Sequence, residues 1–356
     1  MGYRYIGSKE KLAKIIITNI AERCPDANSV IDLMAGTGLF SLCLRQSGYR
    51  VLASDIMTYS YHHLRVNLEL NEAPLFTGLS DIFAQKKYTY SDVIEYLNNL
   101  EPVCGYFTKE FSPGGVPSVG CKPRMYFTTE NASKIDAIRN TIKEWYEDAQ
   151  INEIEHSLLI HDLIMAANDV ANIAGTYGHF LSHFVSRALA PIKLCTSRFE
   201  DNNNIHGHEI RKGYAEHIAT ELNGDVCYID PPYIKRQYAA NYHILETLAR
   251  EDCPDAIGES GLRPWRDQYS NFCSKVKVKG SIDKIISGLH CNHIFMSYSE
   301  DGLLPIDDLG NYLKHYGDVE VINIRYKRFR SNNSTKDPEL TEYLIYINKH
   351  TEDENR

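Results

Sequence analysis

The chain has 356 residues, 43% of them hydrophobic, and a net charge of -9; that is length for one large domain or two ordinary ones, and apolar enough to bury a core. The negative balance excludes a global positive field for nucleic acid, so any such surface must be a local basic patch. Nine scattered cysteines without a C-x-x-C pair argue against a disulfide framework or a zinc site, and no apolar run reaches the ~18 residues of a membrane span. The expectation is a soluble, cytoplasmic protein in a reducing compartment, and 24 tyrosines suit sites that stack planar ligands.

Residues 4–9 open the chain. Ser8 reads as the N-cap of a helix from Lys9 onward, on an apolar stripe at 12, 15, 16 and 20. Gly7 there lets the backbone approach a ligand, with Tyr5 and Lys9 beside it. Residues 29–40 predict a strand ending at Asp32 or Leu33, a Gly36-x-Gly38 turn and an amphipathic helix to about Ser47. A second strand over 51–54 ends at Asp55. This is a nucleotide-binding unit: the glycines permit a tight turn and close approach, and Asp55 can take two ribose hydroxyls. Ser41 stands where a dinucleotide fingerprint has its third glycine, and Asp32 precedes the loop. Both features fit a nucleoside bearing a cationic sulfonium better than a pyrophosphate.

Residues 58–70 read as a helix with His62 and His63 on its surface. Residues 74–124 read as irregular, and 129–150 and 153–174 as helices. Packing or surface roles account for His156, His161, His179 and His183, and no metal is expected. A short buried strand, 226–229, then runs into Asp230-Pro231-Pro232-Tyr233. The prolines lack ladder donors and fix φ, so a carboxylate, a rigid turn and an aromatic ring sit together at a strand's C-terminal end, where open α/β sheets bind ligands. Basic and aromatic residues follow, among them Arg236, Tyr238 and Tyr242; the mixture suits DNA contacts near this turn, or else the start of an amphipathic helix. Residues 251–281 read as an exposed loop and a helix, with Lys275, Lys277 and Lys279 as a basic run. Strands are predicted at 293–298, 319–324 and 340–347. The last two form an edge hairpin whose basic tip holds Lys327, Arg328 and Arg330 as phosphate contacts.

Tyr5-x-Gly7-x-Lys9, Asp32 with Gly36-x-Gly38, Asp55 after the next strand and Asp230-Pro231-Pro232-Tyr233 occur in this order. Together they resemble the Dam-like, D12-class (alpha-group) adenine-N6 DNA methyltransferases. The resemblance is strong over 4–9, 29–55, 225–246 and 321–347, and visible in 125–139 and 168–195. It departs from the family at Met34, where Phe is usual. It also departs before the Asp-Pro-Pro-Tyr strand, where Glu216 is the one acid near the place of an expected cofactor-adenine contact.

The resemblance implies an α/β, Rossmann-like class I methyltransferase fold with a mixed, mostly parallel sheet and an inserted, largely helical target-recognition region. The catalytic domain is expected at 1–74, 166–249 and 282–356, target recognition at 75–165, and a second DNA-facing insertion at 250–281. S-adenosylmethionine is the expected cofactor and S-adenosylhomocysteine the product. Tyr5, Gly7 and Lys9 border it, Asp32, Gly36 and Gly38 line its methionine end, and Asp55 binds its ribose. Asp230 and the Pro231 carbonyl accept hydrogen bonds from the target amino group, and Tyr233 stacks on the flipped base. The substrate is a short specific sequence in duplex DNA, and a cognate restriction endonuclease, where one exists, acts separately. The rivals are the same chemistry on ribosomal RNA adenine and a non-catalytic DNA-binding relative.

Overall fold

The computed structural model describes residues 5, 7, 9, 11–83, 87–118, 122–199, 207–327 and 339–350, with backbone alone at 325–327 and 339–340. Seven strands are present among them: β1 (Ser29–Asp32), β2 (Arg50–Asp55), β3 (Glu209–Lys212), β4 (Val226–Ile229), β5 (His293–Ser299), β6 (Gly317–Lys327) and β7 (Glu339–Lys349). They form one sheet in the order β3-β2-β1-β4-β5-β7-β6. The pairings from β3 across to β5 are parallel. β7 lies antiparallel between β5 and β6. The expected α/β class with a mixed, mostly parallel sheet is what forms, and the hairpin expected at its edge is β6 with β7.

The strand sequences explain this order. β1 and β4 are buried at every residue, as strands covered on both faces must be. On one face Ile31, Cys227, Ile229, Ile294, Met296, Ile345 and Ile347 pack against Ile282, Ile285 and Ile286 of the helix Val278–Gly288. Asp225 ties the start of β4 to β1: its Oδ2 accepts from the Ser29 N–H and Oγ, both at 2.8 Å, and from the Asn28 N–H at 2.9 Å. β1 has β2 on one side and β4 on the other. The connections leaving β1 and β4 therefore diverge, which opens a crevice at their C-terminal ends.

The chain divides into two compact units. One holds the sheet and comprises Lys9–Ile56, His206–Gln237 and Ser270–Arg356; the other comprises Met1–Ser8, Met57–Ile205 and Tyr238–Tyr269. The first helix is Ala13–Arg23 with Leu12 at its N-cap, one turn later than expected. The Lys9 carbonyl accepts from the Leu12 and Ala13 N–H groups at 2.8 and 2.7 Å, and Ser8 lies outside the described residues.

The second unit is built on helices, and three expectations change there. The stretch 74–124 is not irregular throughout: it contains the helices Tyr90–Asn99 and Tyr106–Phe111. The first has a Thr89–Asp92 capping box and buries Tyr90, Val93, Ile94 and Leu97, a helical spacing that the surrounding polar residues obscured. His62 and His63 are not surface residues. Both are buried on the helix Thr58–Glu69, against Glu153–Val170; His62 Nδ1 lies 3.1 Å from Ser157 Oγ and His63 Nδ1 lies 2.8 Å from His161 Nδ1. The loop after Glu251 is not simply exposed, because buried arginines pin it. Arg263 pairs with Asp252 at 2.7 Å.

Arg124 is buried and uses its whole guanidinium. It donates to the Glu110 carboxylate at 2.9 Å and to the carbonyls of Glu110, Ala256, Gly258 and Glu259 at 2.8 to 3.1 Å. A single side chain thus ties the loop 256–262 to Glu110. Glu246, also buried, accepts from the Thr58 N–H at 2.8 Å, Arg250 Nε at 2.6 Å and Gln268 Nε2 at 2.8 Å. It caps the helix Thr58–Glu69 from outside, since the N-cap residue Met57 supplies no side-chain cap.

Two outcomes follow. Arg124→Met leaves the Glu110 carboxylate buried without its cation and lowers stability by about 3–5 kcal/mol, read from urea unfolding; Arg124→Lys recovers part of it, since an ammonium has three donors rather than five. The His63–His161 pair is neutral: burial holds His63 well below the ordinary range, and pushes His161 down to about 4. The unfolded chain takes up these protons first, so the pair's stability is full above pH ~6.5 and is lost as pH falls toward 4. For His161 the loss is about 2 kcal/mol between pH 7 and 5, and His161→Asn flattens that part of the pH dependence of the urea midpoint.

Candidate active site

Three carboxylates stand at the C-terminal ends of neighbouring parallel strands: Asp32 on β1, Asp55 on β2 and Asp230 after β4. Asp32 is 1% exposed and accepts from Ser41 Oγ at 2.6 Å. Ser41, the residue in place of a third glycine, thus serves the acid before the loop. Burial pushes Asp32 up to about 7, against the Ser41 bond, and the charges of Asp230 and Asp55 add to the rise. Asp55 Oδ2 accepts the Gly36 N–H at 2.8 Å. That bond forms because Gly36 and Gly38 turn with φ of 56° and 72°, a left-handed conformation that costs a side chain about 1 kcal/mol or more. Gly38 is the N-cap of the helix Leu39–Gln46.

The turn after β4 presents Asp230 half-buried, Pro231 buried, and Pro232 and Tyr233 half-buried. The Tyr233 carbonyl accepts from the Leu303 N–H at 2.9 Å, and its ring meets Tyr298 edge-on at 5.8 Å. Lys9 reaches into this turn from the start of the first helix. Its Nζ lies 3.2 Å from Asp230 Oδ1 and 5.3 Å from the centre of the Tyr233 ring. Burial alone would drive the Lys9 ammonium toward neutrality, yet Asp230, Tyr233 and Glu342 hold it well above its usual range. Burial raises Asp230 to about 6, Lys9 opposes that rise and Glu342 adds to it.

Glu342 is the residue that the sequence reading missed. It is buried on β7, opposite Ser299 of β5 and Ile324 of β6. Its Oε2 is 3.4 Å from Lys9 Nζ, and its Oε1 accepts from the Tyr233 hydroxyl at 3.4 Å. The available signal was a carboxylate two residues before Leu344, and so on the same face as that core residue of the strand.

The other expected site residues fall differently. Tyr5, with Gly7, belongs to the helical unit. There its ring stacks on Tyr242 at 4.6 Å, and its hydroxyl lies 3.2 Å from that of Tyr59. Tyr238 joins the same cluster, 5.4 Å from Tyr5. Tyr242 is fully buried, which corrects its assignment as a DNA contact: its ring is consumed in packing and presents no face to a base or phosphate. Arg236 and Lys235 are exposed. Gln237 anchors their loop to Ser270 by side-chain bonds of 2.9 and 2.8 Å, and Cys273 Sγ donates to the Arg236 carbonyl at 3.2 Å. Glu216 accepts from Ser281 Oγ at 2.6 Å. The side chain of Lys327, and Arg328 and Arg330 entirely, lie outside the described residues.

Comparison with known proteins accounts for the order of these elements. The family described as D12 class N6 adenine-specific DNA methyltransferase matches residues 5–311. The chain is 37% identical over 353 residues to the Type II methyltransferase M.FokI of Planomicrobium okeanokoites, covering 97% of this chain and 52% of that protein. It is 31% identical to Modification methylase StsI of Streptococcus sanguinis, with 97% and 52% covered. To Type II methyltransferase M.NlaIII of Neisseria lactamica it is also 31% identical, with 97% and 99% covered. The chain thus spans about half the length of the first two relatives and nearly all of the third. With a mixed seven-stranded sheet, acids at the ends of β1 and β2 and Asp-Pro-Pro-Tyr after β4, the chain belongs to the D12 class of N6 adenine-specific DNA methyltransferases.

Proposed function

We infer that the chain transfers a methyl group from S-adenosylmethionine to the exocyclic N6 amino group of an adenine flipped out of duplex DNA. The observation that carries this reading is Asp230: a carboxylate at the switch point of the sheet, beside two rigid prolines and an aromatic ring, with a buried ammonium at 3.2 Å. The residues fit the cofactor. Three acids, two of them buried, converge where a cationic sulfonium and an α-ammonium need negative charge, and a left-handed Gly36–Gly38 turn leaves its backbone open to close approach. S-adenosylmethionine, when bound, supplies an electrophilic methyl group. Asp32, Gly36 and Gly38 bind its methionine end, Asp55 its ribose, and Lys9 borders it.

The adenine amino nitrogen is a poor nucleophile, because its lone pair is delocalised into the ring. Asp230 and the Pro231 carbonyl accept its two hydrogens. This favours a pyramidal nitrogen and stabilises the positive charge that grows there. The prolines keep both acceptors in place, so alignment with the methyl group costs little at the moment of reaction. The methylated nitrogen is acidic enough to shed its proton without a strong base. Tyr233 replaces the stacking that the base loses on extrusion, roughly 1–3 kcal/mol.

Exposed Lys235 and Arg236 flank this turn, and the bonds from Gln237 and Cys273 draw in the segment that carries exposed Lys275 and Lys277. On a chain of charge -9 these cations form a local surface for DNA phosphates. Base reading belongs to 75–165, together with the part of 250–281 that Arg124 ties to it. The relatives' names, Type II methyltransferase and modification methylase, support a role in restriction-modification, with the cognate endonuclease acting separately.

Asp230→Ala lowers kcat by at least about a thousandfold while the thermal midpoint survives; near-normal turnover overturns the mechanism. In the native chain the acceptor is the ionised carboxylate, so kcat falls about tenfold per pH unit below the Asp230 value of about 6. Asp55→Ala raises the cofactor Kd at least about tenfold, or ~1.4 kcal/mol, and unchanged calorimetric binding refutes the ribose role. Replacing both Arg236 and Lys275 by Ala lowers the slope of log Kd against log salt by about 1.8, at ~0.9 per phosphate contact. An unchanged slope removes the two from the DNA surface.

A further inference from the structure

We propose that Glu342 is a positioning residue of the methyl-transfer site, holding Lys9 with one carboxylate oxygen and the Tyr233 hydroxyl with the other, so that Lys9 can leave Asp230 when the target amino group arrives. The proposal rests on Asp230 being the acceptor of that amino group. It adds a residue from β7, outside all the motifs that mark the site in sequence.

The geometry has one ammonium between two carboxylates. Lys9 Nζ is 3.2 Å from Asp230 Oδ1 and 3.4 Å from Glu342 Oε2, with the side chains of Lys9 and Glu342 4% and 7% exposed. A buried ion pair made of Lys9 and Asp230 alone would be tight, and an incoming neutral amino group would have to break it. A second carboxylate at equal range removes that obstacle, because the ammonium exchanges one partner for another without entering an apolar environment uncompensated. Asp230 Oδ1 is then available to the amino hydrogen. Nothing covalent happens at Glu342, and it touches no reacting atom. Its second oxygen fixes the Tyr233 hydroxyl at 3.4 Å, so the same side chain sets the tilt of the ring on which the base stacks. The ammonium and the ring are therefore placed by one carboxylate.

Glu342 also belongs to the electrostatic surroundings of Asp230. Lys9 from the first helix's entry, Tyr228 on β4, Asp32 on β1, Tyr233 in the turn and Glu342 on β7 are the charged and titratable groups that face it. Glu342 supplies a negative charge that resists Asp230 ionisation. Removing it lets Asp230 ionise at lower pH.

The test is Glu342→Gln, which keeps the shape and the acceptor for Tyr233 and removes the charge, beside Glu342→Asp, which keeps the charge. Methyl transfer to DNA is measured across pH 5 to 9, with thermal melts as the control for folding. Glu342→Gln is expected to lower the plateau kcat at least tenfold and to move the acid limb of the profile to lower pH. Glu342→Asp returns the limb to the native position. In parallel, Lys9 labelling by an amine-reactive reagent, quantified by mass spectrometry, is faster in Glu342→Gln, because the ammonium has lost one of its two counter-ions. An active native chain whose Glu342→Gln variant keeps the native kcat, acid limb and Lys9 labelling rate overturns the proposal alone. A Glu342→Gln variant with a lowered melting point but an unmoved limb and labelling rate also overturns it, as a merely structural carboxylate. A native chain that transfers no methyl group to DNA overturns the function reading, and this proposal with it.

Discussion

The site depends on a balance between buried negative charge and one ammonium. Asp32, Asp230 and Glu342 are carboxylates taken out of water, and each costs several kcal/mol unless it is paired or hydrogen-bonded. Ser41 serves Asp32 at 2.6 Å, and Lys9 serves both Asp230 and Glu342. The residual excess of negative charge has a direct consequence: burial raises Asp32 to about 7, with Asp230 and Asp55 adding to it, and burial raises Asp230 to about 6, with Glu342 adding to it. A site in that state favours cationic ligands. The same potential that makes the unliganded pocket costly is the one that a sulfonium and a charge developing on nitrogen require.

Topology decides which carboxylates meet. β1, β2 and β4 are parallel, so Asp32, Asp55 and Asp230 all lie at one edge of the sheet. β7 runs the other way, so its beginning lies at that same edge, where Glu342 faces the end of β5 at Ser299. One reversed strand in a parallel sheet thus delivers a late residue to a site built from early ones. Had β7 been parallel, position 342 would have come to the opposite edge, far from Asp230.

In the helical unit two buried charged side chains hold neighbouring segments by hydrogen bonding. Arg124 spends its guanidinium N–H groups on one carboxylate and four carbonyls, and Glu246 gathers the N–H of Thr58, Arg250 and Gln268. Full satisfaction makes such groups compatible with burial, and it fixes loops that carry little apolar residue of their own. A loop tied in this way is a stiff surface.

Much of this was legible in the chain itself. The strands carrying Asp32, Asp55 and Asp230 are short apolar runs broken by glycine or proline, and that punctuation is local chemistry: Gly36 and Gly38 are needed for a left-handed turn, and Pro231 and Pro232 cannot continue a ladder. The family followed from the order of those elements. What the chain could not display was the partner of each polar group. His62 and His63 look like surface residues because helix periodicity does not say that Glu153–Val170 covers their side. Tyr242 looks like a DNA contact until Tyr5, far away in sequence, stacks on it. Glu342 looks like an ordinary strand charge until an antiparallel register sets it beside Lys9, 333 positions earlier. Local sequence determines where the backbone turns and which atoms can react; only the tertiary fold, through strand direction and burial, decides which charges stand within 4 Å of each other and so what state they are in.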